Sequence, residues 1–193
     1  MIGRITKEWA RFAGYLEQFG LDVRVYPSST NIHHGVFRVS GLAGTPYEGG
    51  IFFIEVTLPE TYPRVPPFMR ALTPIGHPYV HRESGAINYD QVFNGPACGS
   101  WSPSFQMITY LGRFIDCMKT VPPENVDETL SLVQEYATQY YHENEAVFEV
   151  LMANSDFSEM SNRTMASYLG AWRFHPIVRE NIPDEFHAAI GII

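Results

Sequence analysis

The sequence predicts an α+β domain built on a four-stranded antiparallel meander. Three observations carry that prediction. Strand-like runs follow one another before most of the helix-like runs begin, which sets the sheet apart from the helices. Clusters of glycine and proline separate the early strand runs and suit hairpin connections. The length, 193 residues, allows one domain with a sizeable core and a short appendage.

The elements follow in chain order. Ile5, Trp9, Phe12, Leu16 and Phe19 recur every three or four residues, the spacing of an amphipathic helix over about residues 4 to 18, closed by Gly20. "DVRVYP" alternates polar and apolar residues and reads as a strand stopped by Pro27. "GVFRVSG" is a second strand. "GLAGTPYEGG" is a hairpin turn and lacks the Lys-Ser/Thr ending of a phosphate loop. "IFFIEVTLP" is the strongest strand signal, dense in β-branched and aromatic residues. The prolines of "ETYPRVPP" prevent regular pairing, and "FMRAL" is a short fourth strand. Leu72 to Pro103 shows no long periodic segment and is predicted to be a long ordered loop, a kind of segment that is often functional. Met107, Ile108, Leu111, Phe114, Ile115 and Met118 then mark a core-facing helix. "TVPPENV" ends it, and a further helix is predicted from Thr129 to about Ala153. Residues 1–154 make the core domain and 155–193 a C-terminal extension, with one more helix and an extended tail.

Composition narrows the function. Hydrophobic residues are 45% and charged residues 18%, the balance of a globular protein, not a disordered one. Formal net charge is −8 and no Lys/Arg cluster stands out, so nucleic acid and anionic membranes are not expected partners. No apolar run reaches the length of a membrane span, and the first residues lack the apolar stretch of a signal peptide. Two cysteines, Cys98 and Cys117, do not make a disulfide scaffold, and the default is a reducing location, cytoplasmic or nuclear. In that setting the "NRT" sequon at Asn162 is incidental. Seven histidines, with His33 and His34 adjacent, fall in no metal-ligand spacing; neither metal nor cofactor is expected.

The words "PYEGGIFFIEVTLPETYPRVPPFMRALTPIGHPYVHRESGAINYD…WSP" resemble the ubiquitin-conjugating enzyme family, over roughly residues 4 to 153. In that family "Y-x-G-G-x-F" leads into a strand, followed by "P-x-x-Y-P-x-x-P-P", by "H-P-N", by "G-x-I-C-L-D" with the catalytic cysteine, and by "W-S-P". Tyr47, Gly49, Gly50 and Phe52 fit the first element, and Pro59, Tyr62, Pro63, Pro66 and Pro67 fit the second. The resemblance implies thioester chemistry on cysteine, yet two departures fall on that chemistry. His77-Pro78-Tyr79 lacks the asparagine that supports the oxyanion. Gly85-Ala86-Ile87-Asn88 lacks the cysteine. An amide is no nucleophile, and one lost oxyanion donor costs about 10²–10³ in rate. A third departure is the link of twelve residues between Asn88 and Trp101, longer than is usual in the family.

The resemblance therefore runs closest to the inactive variants of that family, which bind an active conjugating enzyme or hold ubiquitin or a ubiquitin-like protein. Two further readings stand beside it. One is an active enzyme using Cys98 as a relocated nucleophile, with His77 or His81 near it; an incidental thiol is the simpler account. The other is a scaffold subunit with no ubiquitin role. The vestigial site is His77, Pro78, Tyr79, Asn88 and Asp90, with Asp90 either a general base or a solvated carboxylate. His77 is expected to bond the loop backbone, Tyr79 to guard or pack the cleft, and Cys117 to be a small core residue. Family members dock a ubiquitin ligase with an apolar residue after "YP" and with "SPA"; here Arg64 and Ser102-Pro103-Ser104 hold those places, Pro66 and Trp101 are further candidate contacts, and Arg64 puts a charge where the anchor belongs. In the extension, Trp172 and Phe174 are the expected anchors of a segment that packs on its own domain or binds a partner.

Overall fold

The computed structural model describes residues 2–16, 21–40, 42–73, 75–81, 84–93, 99–120 and 122–127, with residues 134–135, 138–139, 142 and 145–146. Phe19, Gly20, Cys98, Asn162, Trp172 and Phe174, with the whole 155–193 extension, lie outside the described residues.

Helix α1 spans Ile2–Leu16 and starts two residues before the position expected from periodicity. Its inward stripe is Ile5, Trp9 and Phe12, all buried, and buried Glu8 lies beside it. Four strands follow: β1 (Asp22–Pro27), β2 (His34–Ser40), β3 (Ile51–Thr57) and β4 (Phe68–Ala71). They form one antiparallel sheet in chain order, with Val23 opposite Val39, Phe37 opposite Ile54 and Val56 opposite Met69. Because side chains alternate across a strand, Phe37, Val39, Phe52, Ile54, Val56, Met69 and Ala71 share one face. They join the hydrophobic core with Ile5, Trp9 and Phe12 of α1.

The other face breaks the usual rule that an antiparallel sheet leaves one side to solvent. Val36, Arg38, Ser40, Ile51, Phe53 and Glu55 are buried as well. Buried charges need partners, and these have them. Arg38 and Ser40 meet Asp22 at 2.8 and 2.9 Å. Glu55 accepts from Arg70 Nε at 2.8 Å and meets His34 Nε2 at the same distance. Burial alone would push the Glu55 carboxyl up, but His34 and Arg70 outweigh it and hold the group below the usual carboxylate range.

The segment from Leu72 to Pro103, expected as a long ordered loop with no long periodic segment, carries one short helix. This is α2 (Tyr89–Phe93), whose Val92 and Phe93 are buried. Five residues are too few to display a helical period, so the pattern in the sequence is silent there. Helix α3 spans Met107–Thr120 and buries all six of the residues expected to face the core. A 3-10 turn at Pro123–Asn125 follows. Residues 134–135, 138–139, 142 and 145–146 are helical, within the stretch where a helix was expected.

Candidate functional site

The region around Asn88 is assembled from two short backbone ladders. The Ala71 N–H donates to Gly85 O at 2.8 Å, and the Ile87 N–H to Met69 O at 3.0 Å, so the 85–87 segment lies along β4. Gly85 is required for that approach: its φ is +70°, and a Cβ there would collide with the Ala71 carbonyl oxygen. On the other side, the His81 N–H donates to Ala86 O at 2.9 Å and the Asn88 N–H to Tyr79 O at 2.8 Å. Tyr79 and Asn88, nine positions apart, are thus direct neighbours, as the resemblance implies for a catalytic site.

His77 is architectural. It is buried, and its Nδ1 accepts the Tyr79 N–H at 2.9 Å, which leaves the proton of the neutral ring on Nε2. Its ring lies 4.9 Å from Tyr79, 5.7 Å from Phe114 and 6.3 Å from Tyr47, centroid to centroid. Burial pushes the imidazole down to about 4, opposed by a backbone contact from Cys117. A neutral, enclosed ring of this kind holds the loop in shape. Tyr79 is half-buried and packs edge-on against it, while Pro78 is exposed.

Asn88 itself is exposed. Its carbonyl accepts the Val92 N–H at 3.1 Å, the first helical bond of α2, and its side-chain Oδ1 accepts the Gln91 N–H at 3.1 Å. This is an N-cap, a position that asparagine fills as well as any residue. Asp90 lies exposed in the first turn of the same helix, where a negative charge suits the helix dipole. The site residues His77, Pro78, Tyr79, Asn88 and Asp90 therefore share one region, with no thiol among them. Cys117 is a half-buried thiol on α3, packed against the core.

A second candidate surface is built beside a buried polar hub. Glu8 accepts from the Tyr62 hydroxyl at 2.6 Å, from the Arg4 guanidinium at 2.7 Å and from the Met107 N–H at 3.1 Å. One carboxylate thus joins α1, the Tyr62 loop and the start of α3. Burial, then the Glu8 hydrogen bond, raises the Tyr62 phenol far above its ordinary value. Trp101 donates its indole N–H to Pro63 O at 2.7 Å and its backbone N–H to the Tyr89 hydroxyl at 2.8 Å. The indole bond brings the loop holding Ser102 and Pro103 against the loop holding Arg64 and Pro66. Arg64 and Pro103 are exposed, Pro66 and Ser102 half-buried. Beside Arg64, Val65 is 47% exposed, an apolar group at that surface which the motif comparison passes over.

Sequence reasoning also missed Glu8 and Arg113. Arg113 lies over the Phe93 ring at 4.5 Å and the Phe105 ring at 5.1 Å, and donates to Gly99 O at 3.3 Å. It ties the end of the long link to α3. A polar residue inside a helical apolar stripe was the available signal for Glu8; for Arg113 nothing in the local pattern distinguishes it from a solvated charge. Among the described residues, no group of three or more His, Cys, Asp or Glu could hold a metal, and no helix is long and apolar enough to cross a membrane.

Comparison with known proteins agrees with this architecture. Residues 4–154 match the family described as ubiquitin-conjugating enzyme. Ubiquitin-conjugating enzyme E2 27 of Arabidopsis thaliana is 33% identical over 118 residues, 61% of this chain and 58% of that protein. Protein PEROXIN-4 of the same plant is 35% identical over 104 residues, 54% of this chain and 63% of that one. Ubiquitin-conjugating enzyme E2 T of Danio rerio is 46% identical over 74 residues, 38% and 37%. The chain spans less than two thirds of the length of each of these relatives. Among solved structures, the E2 domain of a Toxoplasma gondii ubiquitin conjugating enzyme superposes with a TM-score of 0.52 at 27% identity, covering 79% of this chain and 94% of that one.

Proposed function

We propose that this chain, which belongs to the ubiquitin-conjugating enzyme family, is a non-catalytic variant acting as an adaptor or regulator in a ubiquitin or ubiquitin-like pathway. The observation that carries the reading is Asn88. It stands exposed beside Tyr79 in the frame the family uses for its cysteine, and its side chain caps α2. A side-chain amide forms no thioester, and with Tyr79 in place of asparagine an oxyanion donor is missing too. What remains is a surface for protein partners: an active conjugating enzyme, ubiquitin or its relatives, or a ligase or complex scaffold meeting the Arg64, Val65, Pro66, Ser102 and Pro103 face. Cytoplasmic or nuclear residence goes with this role.

The test is charging. Purified protein incubated with a ubiquitin-activating enzyme, ATP and ubiquitin is expected to form no thiol-reducible adduct. An adduct that disappears in Cys98→Ala would replace this reading with a relocated nucleophile; one that survives that change and disappears in Cys117→Ala would place the chemistry on α3. Amide shifts in a ubiquitin titration, alone and with active conjugating enzymes, separate the adaptor from a scaffold with no ubiquitin role: an adaptor responds in at least one of the two, such a scaffold in neither.

A further inference from the structure

The outward face of the sheet is buried, although α1 and α3 pack on the opposite, core face. Val36, Ile51 and Phe53 on it are 0, 4 and 2% exposed, so another part of the chain covers them. Two ties on the described residues locate that cover. Helical Thr138 takes the Ile51 N–H on its hydroxyl at 3.1 Å, at the start of β3. Helical Glu145 meets Arg24 of β1 at 3.7 Å. At the helical rise, positions 138 and 145 stand about 10 Å apart. From β3 to β1 is two strand spacings, also about 10 Å. Thr138 and Glu145 therefore belong to a helical row that crosses the outward face from β3 over β2 to β1.

The face beneath is composed like a surface, not like a core. His34, Arg38, Ser40 and Glu55 share it with the three apolar residues. Its charges are met inside the sheet: Arg38 donates to Asp22, and Glu55 accepts from Arg70 and meets His34. These bonds do not pass through the covering row, so they persist when it lifts. Lifting also returns Arg38 and Glu55 to water, which offsets part of the cost of exposing Val36, Ile51 and Phe53. The Arg24–Glu145 pair resists little, because both side chains are 44% exposed and water screens them. Near the other end, a groove of about 570 Å³ opens between the row and the glycine-rich turn at Glu48, Gly49 and Gly50.

We propose that this row is a cover that lifts from the sheet as one unit while the sheet stays folded. It is the chain's own occupant of the outward face, and while seated it closes that face to other proteins. The device does not rest on the residue at position 88, so its test and the charging test fail independently.

Native-state hydrogen exchange of the full chain tests it with two amides. The Ile51 N–H is bonded to Thr138 and reports the cover; the Leu72 N–H is bonded to Phe53 O at 2.8 Å and reports the sheet. Corrected for intrinsic rates, Ile51 is expected to exchange at least about tenfold faster than Leu72. Fraying of β3 alone would give the same ratio, so the far end of the row is altered as well. Glu145→Ala should speed Ile51 by about two- to fivefold and leave Leu72 unchanged. Val36→Cys, in a Cys98→Ala and Cys117→Ala background, should react with iodoacetamide faster than the chain unfolds, and faster again with Glu145→Ala. Should that background fail to fold, exchange at Ile51 still decides. Equal protection at Ile51 and Leu72, no response of Ile51 to Glu145→Ala, or labelling no faster than global unfolding would overturn the proposal.

Discussion

Glu8 and Asn88 both present a side-chain oxygen to the first N–H groups of a helix, but they stand in opposite settings. Glu8 is 4% exposed and makes three hydrogen bonds that tie α1, the Tyr62 loop and α3 together. Asn88 is exposed, and among the described residues its side chain bonds three residues ahead, to Gln91. The first oxygen holds distant elements, and its loss is felt across the domain. The second holds one short helix. The comparison teaches that the frame around position 88 does not lean on the side chain at its centre. Gly85, His77 and the Tyr79–Asn88 backbone bond keep the loop in place without it. A reactive group can therefore be absent while the surrounding architecture persists.

The contrast can be broken first by truncation. Glu8→Ala leaves the buried Tyr62 hydroxyl and the Met107 N–H without their acceptor, while Arg4 keeps the Phe105 carbonyl, and should lower stability by about 2–4 kcal/mol, from two buried donors at roughly 1–3 each. Chemical denaturation measures it. A loss under about 1 kcal/mol would make Glu8 no more than a helix cap and erase the distinction.

His77 sharpens the comparison through pH. Its folded value, about 4, lies below the ordinary 6.5. Between these values the unfolded chain takes up a proton that the folded chain refuses, so stability falls as pH drops through that window. The integrated effect is about 3 kcal/mol from a shift of roughly two and a half pK steps. Asp22 and Glu55 act separately: their folded values are depressed, so their contribution is present above 3.8 and 4.5 and fades as pH falls below those. Stability curves for the parent and for His77→Gln should diverge in slope between pH 4 and 6.5. Parallel curves would show that His77 is not held neutral.

A smaller effect is expected at the cap. Asn88→Ala should cost about 1 kcal/mol, and Asn88→Ser or Asn88→Asp close to nothing. If all three lose stability equally, Oδ1 is not the group that matters.

The faintest signal is restored chemistry. Asn88→Cys should give at most a trace of reducible ubiquitin adduct, because Tyr79 still stands where the oxyanion donor belongs. Adding Tyr79→Asn should improve discharge to an amine. Strong turnover from the single change would mean that nothing but the nucleophile has been lost.

Most of the fold was legible from residue order. Side-chain periodicity is a local property, so the stripe of α1, all four strands and the core face of α3 could be read directly from spacing. The motif frame was equally legible, because the backbone demands at Gly85 and the proline run at 63–67 are written in residue types that few conformations tolerate. That position 88 carries an amide, and that Arg64 follows the "YP" pair, needed no coordinates at all.

What the sequence left open was every pairing between distant residues. Glu8 reads as a polar position on a helix; only packing places Tyr62 and Met107 on its carboxylate. Nothing in the strand pattern tells that Arg38 and Glu55 are buried, yet both faces of the middle strands are covered, and their charges are met by Asp22 and by His34 and Arg70. The five-residue helix α2 is shorter than two helical turns, so its existence, and with it the capping role of Asn88, is decided by tertiary contacts of Val92 and Phe93. Composition and spacing report what each residue prefers on its own. Burial and pairing energies depend on what arrives from elsewhere in the chain, and that is settled only when the chain closes on itself.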